Sequence, residues 1–428
     1  MIKKIENITM KYGRKKIQFQ IPKHNLLAIL EPNKIEGAVN EDKEIEFAIQ
    51  NPYGTLPLTE IIRDKNKNAV IVVNDITRPT PSYKILPHFL KILNEGGIKD
   101  GHISILVANG GHRANTREEL EGLLSSEILN RVTVINHDYL NDNEIIYIGK
   151  TSENIPIEIN RIYYHAGIKI LTGTIAPHQA AGYGGGRKSI IPGIAGHRTL
   201  AFHHSHHFRL PGPAMGIIEN NPFHYQAVEG AKTVGVDFIL NVVQNSDKKI
   251  VKAVAGDLEK AWEEGVKWAR QVHEVKSPNS NPDVVIASPG GFPKDINLYQ
   301  IVKTVTRAEA IVREGGTIII PAECSEGYGI AAGEFVNWLA AASDIDEVID
   351  RFKKEGYQEG SNAAFLYARA LKKAEIMIVT HNIPAPDLNR LFLNASHTME
   401  EALEKIFSKY GKDCKIIVMK DANDIVPI

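Results

Sequence analysis

Nine short runs of aliphatic residues constrain the fold of this 428-residue chain more than any other feature. Each run is rich in Ile and Val and lacks the apolar–polar alternation of a strand that faces water on one side. The runs are Ala69–Val73, Ile103–Val107, Val132–Ile135, Ile168–Leu171, Phe238–Val243, Val284–Ala287, Thr317–Ile320, Ile376–Val379 and Ile416–Met419. Helix-like stretches such as Tyr83–Leu93, Asn115–Glu127 and Leu258–Val272 separate most of them. Unalternating strands joined through helices are typical of parallel sheets covered on both faces, so the sequence predicts an α/β fold.

The chain is long enough for more than one domain, and we predict two Rossmann-like α/β domains with a cofactor and substrate cleft between them. Lys276–Pro282 has no apolar anchor and contains two prolines, which indicates a hinge. The N-terminal, cofactor-binding domain is expected to span residues 1–275, with the option that a segment of about 410–428 returns to it. The C-terminal, substrate-closing domain is expected to span 276–409. Near the start, Ile17–Ile21 alternates apolar and polar residues, which predicts a half-buried strand.

Composition excludes several classes of protein. Lys and Arg total 50 against 51 Asp and Glu, so no surplus of positive charge favours a dedicated nucleic-acid-binding protein. The sequence has neither an apolar stretch of membrane-spanning length nor the pattern of a signal peptide, and we expect a cytoplasmic protein without a membrane partner. Two cysteines, Cys324 and Cys414, exclude a disulfide framework and a four-thiolate zinc site.

Ligands of parallel α/β sheets bind at the carboxyl ends of the strands, so polar residues there are informative. Asp75 and Arg78 follow the first predicted strand in a loop that two prolines stiffen. They form either a local ion pair or a fixed guanidinium for a carboxylate or phosphate. His112 follows a Gly-Gly pair after the next strand and is either structural or exposed to the cleft. For His137, after the following strand, a structural capping role is favoured.

The fourth predicted strand runs into the most informative segment of the chain. Pro177-His178 is followed by Gly184-Gly185-Gly186-Arg187-Lys188, in which glycines precede basic residues as in a phosphate-cradling loop. The spacing matches neither a Walker A loop nor the dinucleotide fingerprint. Next comes His203-His204-Ser205-His206-His207, a density that indicates either a transition metal or a solvated histidine cluster.

In the second half, Tyr299, Gln300 and Lys303 follow a Gly-Gly-containing strand end and are predicted to lie on one helix. Tyr299 and Lys303 are four residues apart and would share a helical face. The segment is either an ordinary amphipathic surface or a source of a cation and hydrogen-bond donors for a bound acid.

Together these motifs resemble the nickel-pincer lactate racemase family. The resemblance rests on Asp75-x-x-Arg78-Pro79, Gly110-Gly111-His112-Arg113, Pro177-His178, Gly184-Gly185-Gly186-Arg187-Lys188, His204 and Tyr299-Gln300-x-x-Lys303, in that order along nearly the whole chain. It implies a nickel-pincer nucleotide cofactor, pyridinium-3-thioamide-5-thiocarboxylate mononucleotide. It also implies an isomerase that racemises or epimerises a 2-hydroxy acid by reversible hydride transfer.

The resemblance also implies a role for each matched residue. His112 and His178 would be the catalytic acid/base pair, and His204 the protein ligand of nickel. Substrate binding would fall to Arg78, Tyr299, Gln300 and Lys303. Cofactor binding would fall to Asp75, Gly184, Gly185, Gly186, Arg187 and Lys188, the last covalently in some members, while Asp75 would orient Arg78 or the cofactor.

The chemistry of racemisation is consistent with these roles. The C2 proton of a 2-hydroxy acid is too weakly acidic to remove beside an ionised carboxylate, so hydrogen leaves as hydride while a base takes the hydroxyl proton. Each enantiomer presents its hydroxyl on a different side, and two histidines near neutrality suit that task. Two cations on the carboxylate would retain the keto intermediate.

The sequence alone does not decide the substrate, the partners or the choice among rival functions. Gly360–Ala364 places small residues where lactate-specific members are expected to carry a tryptophan, so lactate, a larger 2-hydroxy acid and a sugar acid are all candidates. One rival function is an NAD(P)-dependent 2-hydroxy-acid dehydrogenase, which lacks its glycine fingerprint here; another is a non-catalytic nickel or cofactor carrier. Expected partners are the small acid and, transiently, the cofactor-synthesis enzymes, and a homo-oligomer is one option.

Overall fold

The computed structural model describes residues 5–63, 68–206, 214–329 and 333–428. The strands are β1 Ile5–Tyr12, β2 Lys15–Pro22, β3 Leu26–Leu30, β4 Ala69–Asn74, β5 Ile103–Ala108, β6 Thr133–Asn136, β7 Ile145–Lys150, β8 Pro156–Asn160, β9 Ile168–Thr174, β10 Pro177–His178, β11 Gly182–Tyr183, β12 Phe238–Gln244, β13 Ile250–Gly256, β14 Glu274–Val275, β15 Val284–Ala287, β16 Gly316–Pro321, β17 Ala374–Val379, β18 Asn394–Ser396, β19 Ile416–Met419 and β20 Val426–Pro427. The helices are α1 Glu41–Gln50, α2 Leu58–Arg63, α3 Ser82–Glu95, α4 Arg117–Leu124, α5 Ser126–Arg131, α6 Arg161–Tyr164, α7 His197–His204, α8 Pro222–Val234, α9 Lys260–His273, α10 Val302–Ile311, α11 Gly333–Ala341, α12 Ile345–Glu355, α13 Ser361–Lys373, α14 Ala385–Asn389 and α15 Met399–Tyr410. None of the helices in these ranges has the length and apolar character that a membrane span requires.

The chain divides into two compact units. The central unit comprises residues 34–206 and 216–272, and the terminal unit comprises the chain up to residue 33, a short segment that ends at Met215, and residues 273–428. This division differs from the predicted domains of 1–275 and 276–409 at the N-terminus, and residues 410–428 lie in the terminal unit. The reason is a strand pairing, since β3 pairs in parallel with β19.

The central unit contains a sheet with the strand order β13-β12-β9-β4-β5-β6. All neighbours are parallel except β12 and β13, which are antiparallel. Ile71 and Val73 of β4 belong to the apolar core on one face of the sheet, and Val70 and Val72 to the core on the other. Burial on both faces explains the absence of alternation in the sequence and confirms the predicted α/β class.

The terminal unit contains a parallel sheet with the order β18-β17-β16-β15-β19-β3. The β1–β2 hairpin adds Ile8, Met10, Phe19 and Ile21 to the core on one face of it. The predicted half-buried strand is therefore part of β2, whose inward residues are covered by the sheet.

Two predicted helices differ from those observed. The stretch Asn115–Glu127 is divided into α4 and α5 at Ser125, whose φ of 82° is incompatible with a continuous helix. The predicted helix begins later than expected, because α10 begins only at Val302; Lys303 lies in it and Tyr299 does not. Before it, the Asn297 side chain accepts a hydrogen bond from the Gln300 backbone N–H at 2.9 Å, which stabilises a turn instead.

Candidate active site

Three neighbouring parallel strands of the central unit, β9, β4 and β5, end at one edge of their sheet. Asp75 and Arg78 follow β4, His112 follows β5, and His178 and Lys188 follow β9. The carboxyl ends of parallel strands meet at the same edge, so the fold brings these predicted site residues together.

Asp75 orients His112. Its buried carboxylate, whose side chain is 4% exposed, accepts a hydrogen bond from His112 Nδ1 at 2.6 Å through Oδ2. Burial alone would raise the pKa of Asp75, but the hydrogen bond and charge of His112 and the charge of Arg78 outweigh it and lower the pKa. An ionised Asp75 keeps the proton of a neutral His112 on Nδ1, which leaves a lone pair on Nε2.

A threonine hydroxyl lies between Asp75 and Arg78, and the expected role of Asp75, to orient Arg78 or the cofactor, stays a prediction. Thr77 Oγ1 donates to Asp75 Oδ1 at 2.6 Å and accepts from Arg78 Nη1 at 2.8 Å. Sequence reasoning missed Thr77, although its place inside the Asp75–Arg78 motif was the available signal.

His178 carries its proton on the opposite ring nitrogen from His112. The backbone N–H groups of Ala180 and Ala181 both donate to His178 Nδ1, each at 3.1 Å. A proton on Nδ1 would face two donors, so the neutral ring carries it on Nε2. The small β10–β11 ladder, in which His178 pairs with Gly182, fixes the backbone of this loop.

The glycine loop places Lys188. Gly185 and Gly186 have φ values of 76° and 50°, and a Cβ on Gly186 would lie 3.0 Å from the Trp262 ring. The carbonyl of Gly184 accepts from Trp262 Nε1 at 2.7 Å, and the Gly186 N–H donates to a side chain on β12 at 2.9 Å. The Gly184 carbonyl and the Gly186 N–H thus hold the loop in place, and the cofactor contacts expected of the three glycines stay a prediction.

Arg187 binds carbonyls of the loop itself, and its expected cofactor contact stays a prediction. Its buried guanidinium lies 4.0 Å from the Trp262 ring centroid and donates through Nη1 and Nη2 to four loop carbonyls, those of Ala181, Tyr183, Gly184 and Gly185. Burial lowers the pKa of Arg187 to about 9. Arg187 therefore stabilises the loop from inside.

The loop presents the amine of Lys188. Burial lowers the pKa of its amine well below the ordinary value, and the nearby charges of Arg78 and Arg187 lower it further. An amine with a depressed pKa is nucleophilic near neutrality.

The adjacent histidines differ in exposure, since His203 is fully buried and His204 only partly buried. His204 Nδ1 donates to the Leu200 carbonyl at 2.9 Å within α7, which leaves the lone pair on Nε2. Burial, then the charge of Lys188, lowers the pKa of His204 to about 3, so the ring is neutral. His203 is buried, and its Nε2 bonds to the Phe223 carbonyl at 2.8 Å. His207 lies outside the described residues.

Phe223 is the centre around which this cluster packs. Its ring centroid lies 6.3 Å from that of His178, 5.5 Å from that of His204 and 5.3 Å from Lys188 Nζ. The electrostatic influence of His112 lowers the pKa of His204, and that of Arg78 lowers the pKa of Lys188. Sequence reasoning missed Phe223, whose only signal was its place at the start of a helix that Asn221 caps.

Tyr299, Gln300 and Lys303 lie in the terminal unit. Lys303 Nζ donates to Gln300 Oε1 at 3.0 Å, and burial raises the pKa of Tyr299. Their assignment to the substrate stays a prediction. In the part of the chain that the structure describes, no three His, Cys, Asp or Glu side chains converge as a metal site.

Comparison with known proteins identifies the family. Residues 12–216 match the family model for the lactate racemase N-terminal domain, and residues 277–426 match that for the lactate racemase C-terminal domain. The chain is 35% identical to the lactate racemase of Thermoanaerobacterium thermosaccharolyticum, over 98% of this chain and 99% of that protein. It is 33% identical to the lactate racemase of Lactiplantibacillus plantarum, over the same shares of the two chains.

Solved structures agree with that result. The lactate racemase apoprotein from Thermoanaerobacterium thermosaccharolyticum superposes with a TM-score of 0.92 at 33% identity, over 99% of this chain and all of that one. A protein from Thermotoga maritima shares the fold with a TM-score of 0.66 at 19% identity, over 92% of this chain and all of that one. The chain therefore belongs to the lactate racemase family and is an isomerase.

Proposed function

We propose that the protein racemises or epimerises a 2-hydroxy acid with the help of a nickel-pincer nucleotide. One observation carries the proposal: two imidazoles with differently fixed protons, His112 and His178, lie in the same cluster as a low-pKa lysine and a neutral histidine. Lactate, the substrate in the names of the relatives, is the first acid to test. Larger 2-hydroxy acids and sugar acids come next.

The residues of the cluster fit the cofactor. His204 would bind nickel through Nε2, because Nδ1 is tied to the Leu200 carbonyl and a pKa of about 3 keeps the ring unprotonated. Lys188 would hold the organic part of the cofactor, since a low-pKa amine can form a covalent amide-type link. When bound, the cofactor supplies a reversible acceptor for the hydrogen of C2 as hydride.

The protein groups would orient the acid and move its hydroxyl proton. The Arg78 guanidinium binds the carboxylate, for which its fork geometry is suited. His112 accepts the hydroxyl proton at Nε2, and the Asp75 carboxylate stabilises the imidazolium that forms. His178 presents Nε2–H as a hydrogen-bond donor to the substrate oxygen from its own side, and the proton taken by His112 would return to the oxygen of the product, so that both imidazoles end the turnover neutral.

The proposal is tested by chiral chromatography of 2-hydroxy acids after incubation with protein produced alongside cofactor-synthesis enzymes. We expect His112→Gln to reduce turnover at least about 100-fold, the usual size of a general-base effect. His102→Gln is the matched control, since His102 is exposed in the turn before β5. A variant His112→Gln with wild-type turnover would refute the assignment of the base.

The same preparation separates the rival functions. A dehydrogenase would reduce added NAD or NADP and accumulate a keto acid, whereas a racemase does neither. A carrier would bind nickel without converting any enantiomer. Three expectations stay predictions: that both sheets are Rossmann-like, that a cofactor and substrate cleft lies between the two domains, and that Lys303 binds the substrate.

A further inference from the structure

We infer that Thr77 is a positioning residue that couples Arg78 to the Asp75–His112 pair; the inference rests on the proposed function. One hydroxyl joins the two groups, because Thr77 Oγ1 accepts from Arg78 Nη1 at 2.8 Å and donates to Asp75 Oδ1 at 2.6 Å. The second oxygen of Asp75 bonds to His112 Nδ1 at 2.6 Å. The result is an unbroken hydrogen-bonded series from the proposed carboxylate-binding cation to the proposed base.

A hydroxyl suits this position because it donates to an anion and accepts from a cation at the same time. Asp75 and Arg78 are three residues apart in one loop, and without an intervening group they could form a direct ion pair. Such a pair would hold the guanidinium on Asp75 and away from an incoming carboxylate. Thr77 keeps the two charges apart, so that Arg78 stays exposed and available.

Thr77 also orients two of the groups that it contacts, Arg78 and His112. Arg78 Nη1 lies 3.4 Å from the Thr77 carbonyl as well as 2.8 Å from its hydroxyl, so one residue provides two acceptors for the guanidinium. The β-branched side chain restricts χ1, which limits the positions that the hydroxyl can take. Thr77 Oγ1 is 3.5 Å from His112 Nδ1, so a change in the Thr77 rotamer would alter the immediate surroundings of the proposed base.

The test uses Thr77→Val, which keeps the shape and removes the hydroxyl, and Thr77→Ser, which keeps the hydroxyl. We expect Thr77→Val to raise KM for the acid about tenfold, the effect of a lost charge-assisted hydrogen bond, and to lower kcat less. Thr77→Ser should restore KM to within about threefold of wild type, and the exposed Thr133→Val on β6 should leave it unchanged. The inference would be overturned if Thr77→Val left KM unchanged, or if Thr77→Ser raised KM as much as Thr77→Val does.

A double-variant cycle shows whether Thr77 acts through Arg78. In an Arg78→Gln background, the effect of Thr77→Val on KM should fall below about twofold, because the partner is already lost. A tenfold effect that persists there would contradict the inference.

A second readout does not depend on turnover. The Nδ1 proton resonance of His112, measured by NMR in protein without cofactor, should shift in Thr77→Val and return in Thr77→Ser. If the wild type racemises no acid, the proposed function fails, and this resonance still decides whether the hydroxyl controls the histidine. An unchanged resonance in Thr77→Val would refute the coupling.

Discussion

Replacing Asp75 by Asn tests the basis of the proposed acid/base chemistry. Asn has nearly the same shape but no charge, and its amide can donate to His112 Nδ1, which would move the ring proton to Nε2. The native carboxylate is 4% exposed, so its oxygens are shielded from water. The 2.6 Å hydrogen bond is charge-assisted once the ring is protonated, and such bonds contribute about 1.5–3 kcal/mol.

That free energy corresponds to a decrease of about 10- to 150-fold in kcat. The wrong tautomer adds to the loss, since the same Asp-to-Asn change in a serine protease triad costs about 10⁴ in kcat. We therefore expect kcat to fall about 100- to 10,000-fold, while KM changes little because Thr77 can still donate to the Asn oxygen.

The assay is the initial rate of racemisation in both directions by chiral chromatography, with Asp350→Asn as the control because that side chain is 73% exposed. Combining Asp75→Asn with His112→Gln should cost little beyond the histidine change alone. A kcat for Asp75→Asn within about threefold of wild type would refute the reasoning.

Three further predictions concern the Lys188 cluster, the glycine loop and the pH dependence of stability. Lys188→Ala and His204→Ala should each abolish racemisation and reduce bound nickel, measured by intact mass and metal analysis; full activity or wild-type nickel in either would contradict the assignment. Arg187→Met should lower the free energy of unfolding by about 3 kcal/mol in urea, because four carbonyls lose a buried donor, whereas the exposed Arg117→Met should change it by less than about 0.5 kcal/mol. The hydrogen bond from Arg113, then that from the Thr116 backbone, lowers the pKa of Glu119 to about 2. Its stabilising contribution is therefore complete above the unfolded pKa of about 4.3 and lost as the pH falls towards 2. Urea titrations should show Glu119→Gln less stable than wild type at pH 7, with a difference that vanishes in acid; a difference that grows in acid would contradict this sign.

Five of the six strands of the central sheet were predicted, because burial on both faces requires apolar residues throughout each strand; β13 was not among the predicted runs. Val70 and Val72 enter one core while Ile71 and Val73 enter the other, so every residue in the run had to be apolar. The pairing of β3 with β19 was not predictable, since these strands lie at opposite ends of the chain and no local pattern records which strands become neighbours. Because of this pairing, β3 belongs to the terminal unit and not to the central one.

Within the site, the residue types were predictable but some partners were not. Asp75, His112 and Lys188 stand out because they follow strands beside glycine or proline. The contact of Arg187 with Trp262 was not predictable, because Trp262 lies on α9, far away in the sequence. Phe223 was missed for the same reason, because its neighbours come from separate segments.

The central claim is that this cluster interconverts the enantiomers of a 2-hydroxy acid. The most direct test follows the optical rotation of L-lactate, then of larger 2-hydroxy acids, with protein made in the presence and absence of cofactor-synthesis enzymes. We predict that rotation decays to zero only with the loaded protein, without net keto acid or reduced nicotinamide. Nickel-loaded protein that leaves every acid in the panel optically unchanged would contradict the account.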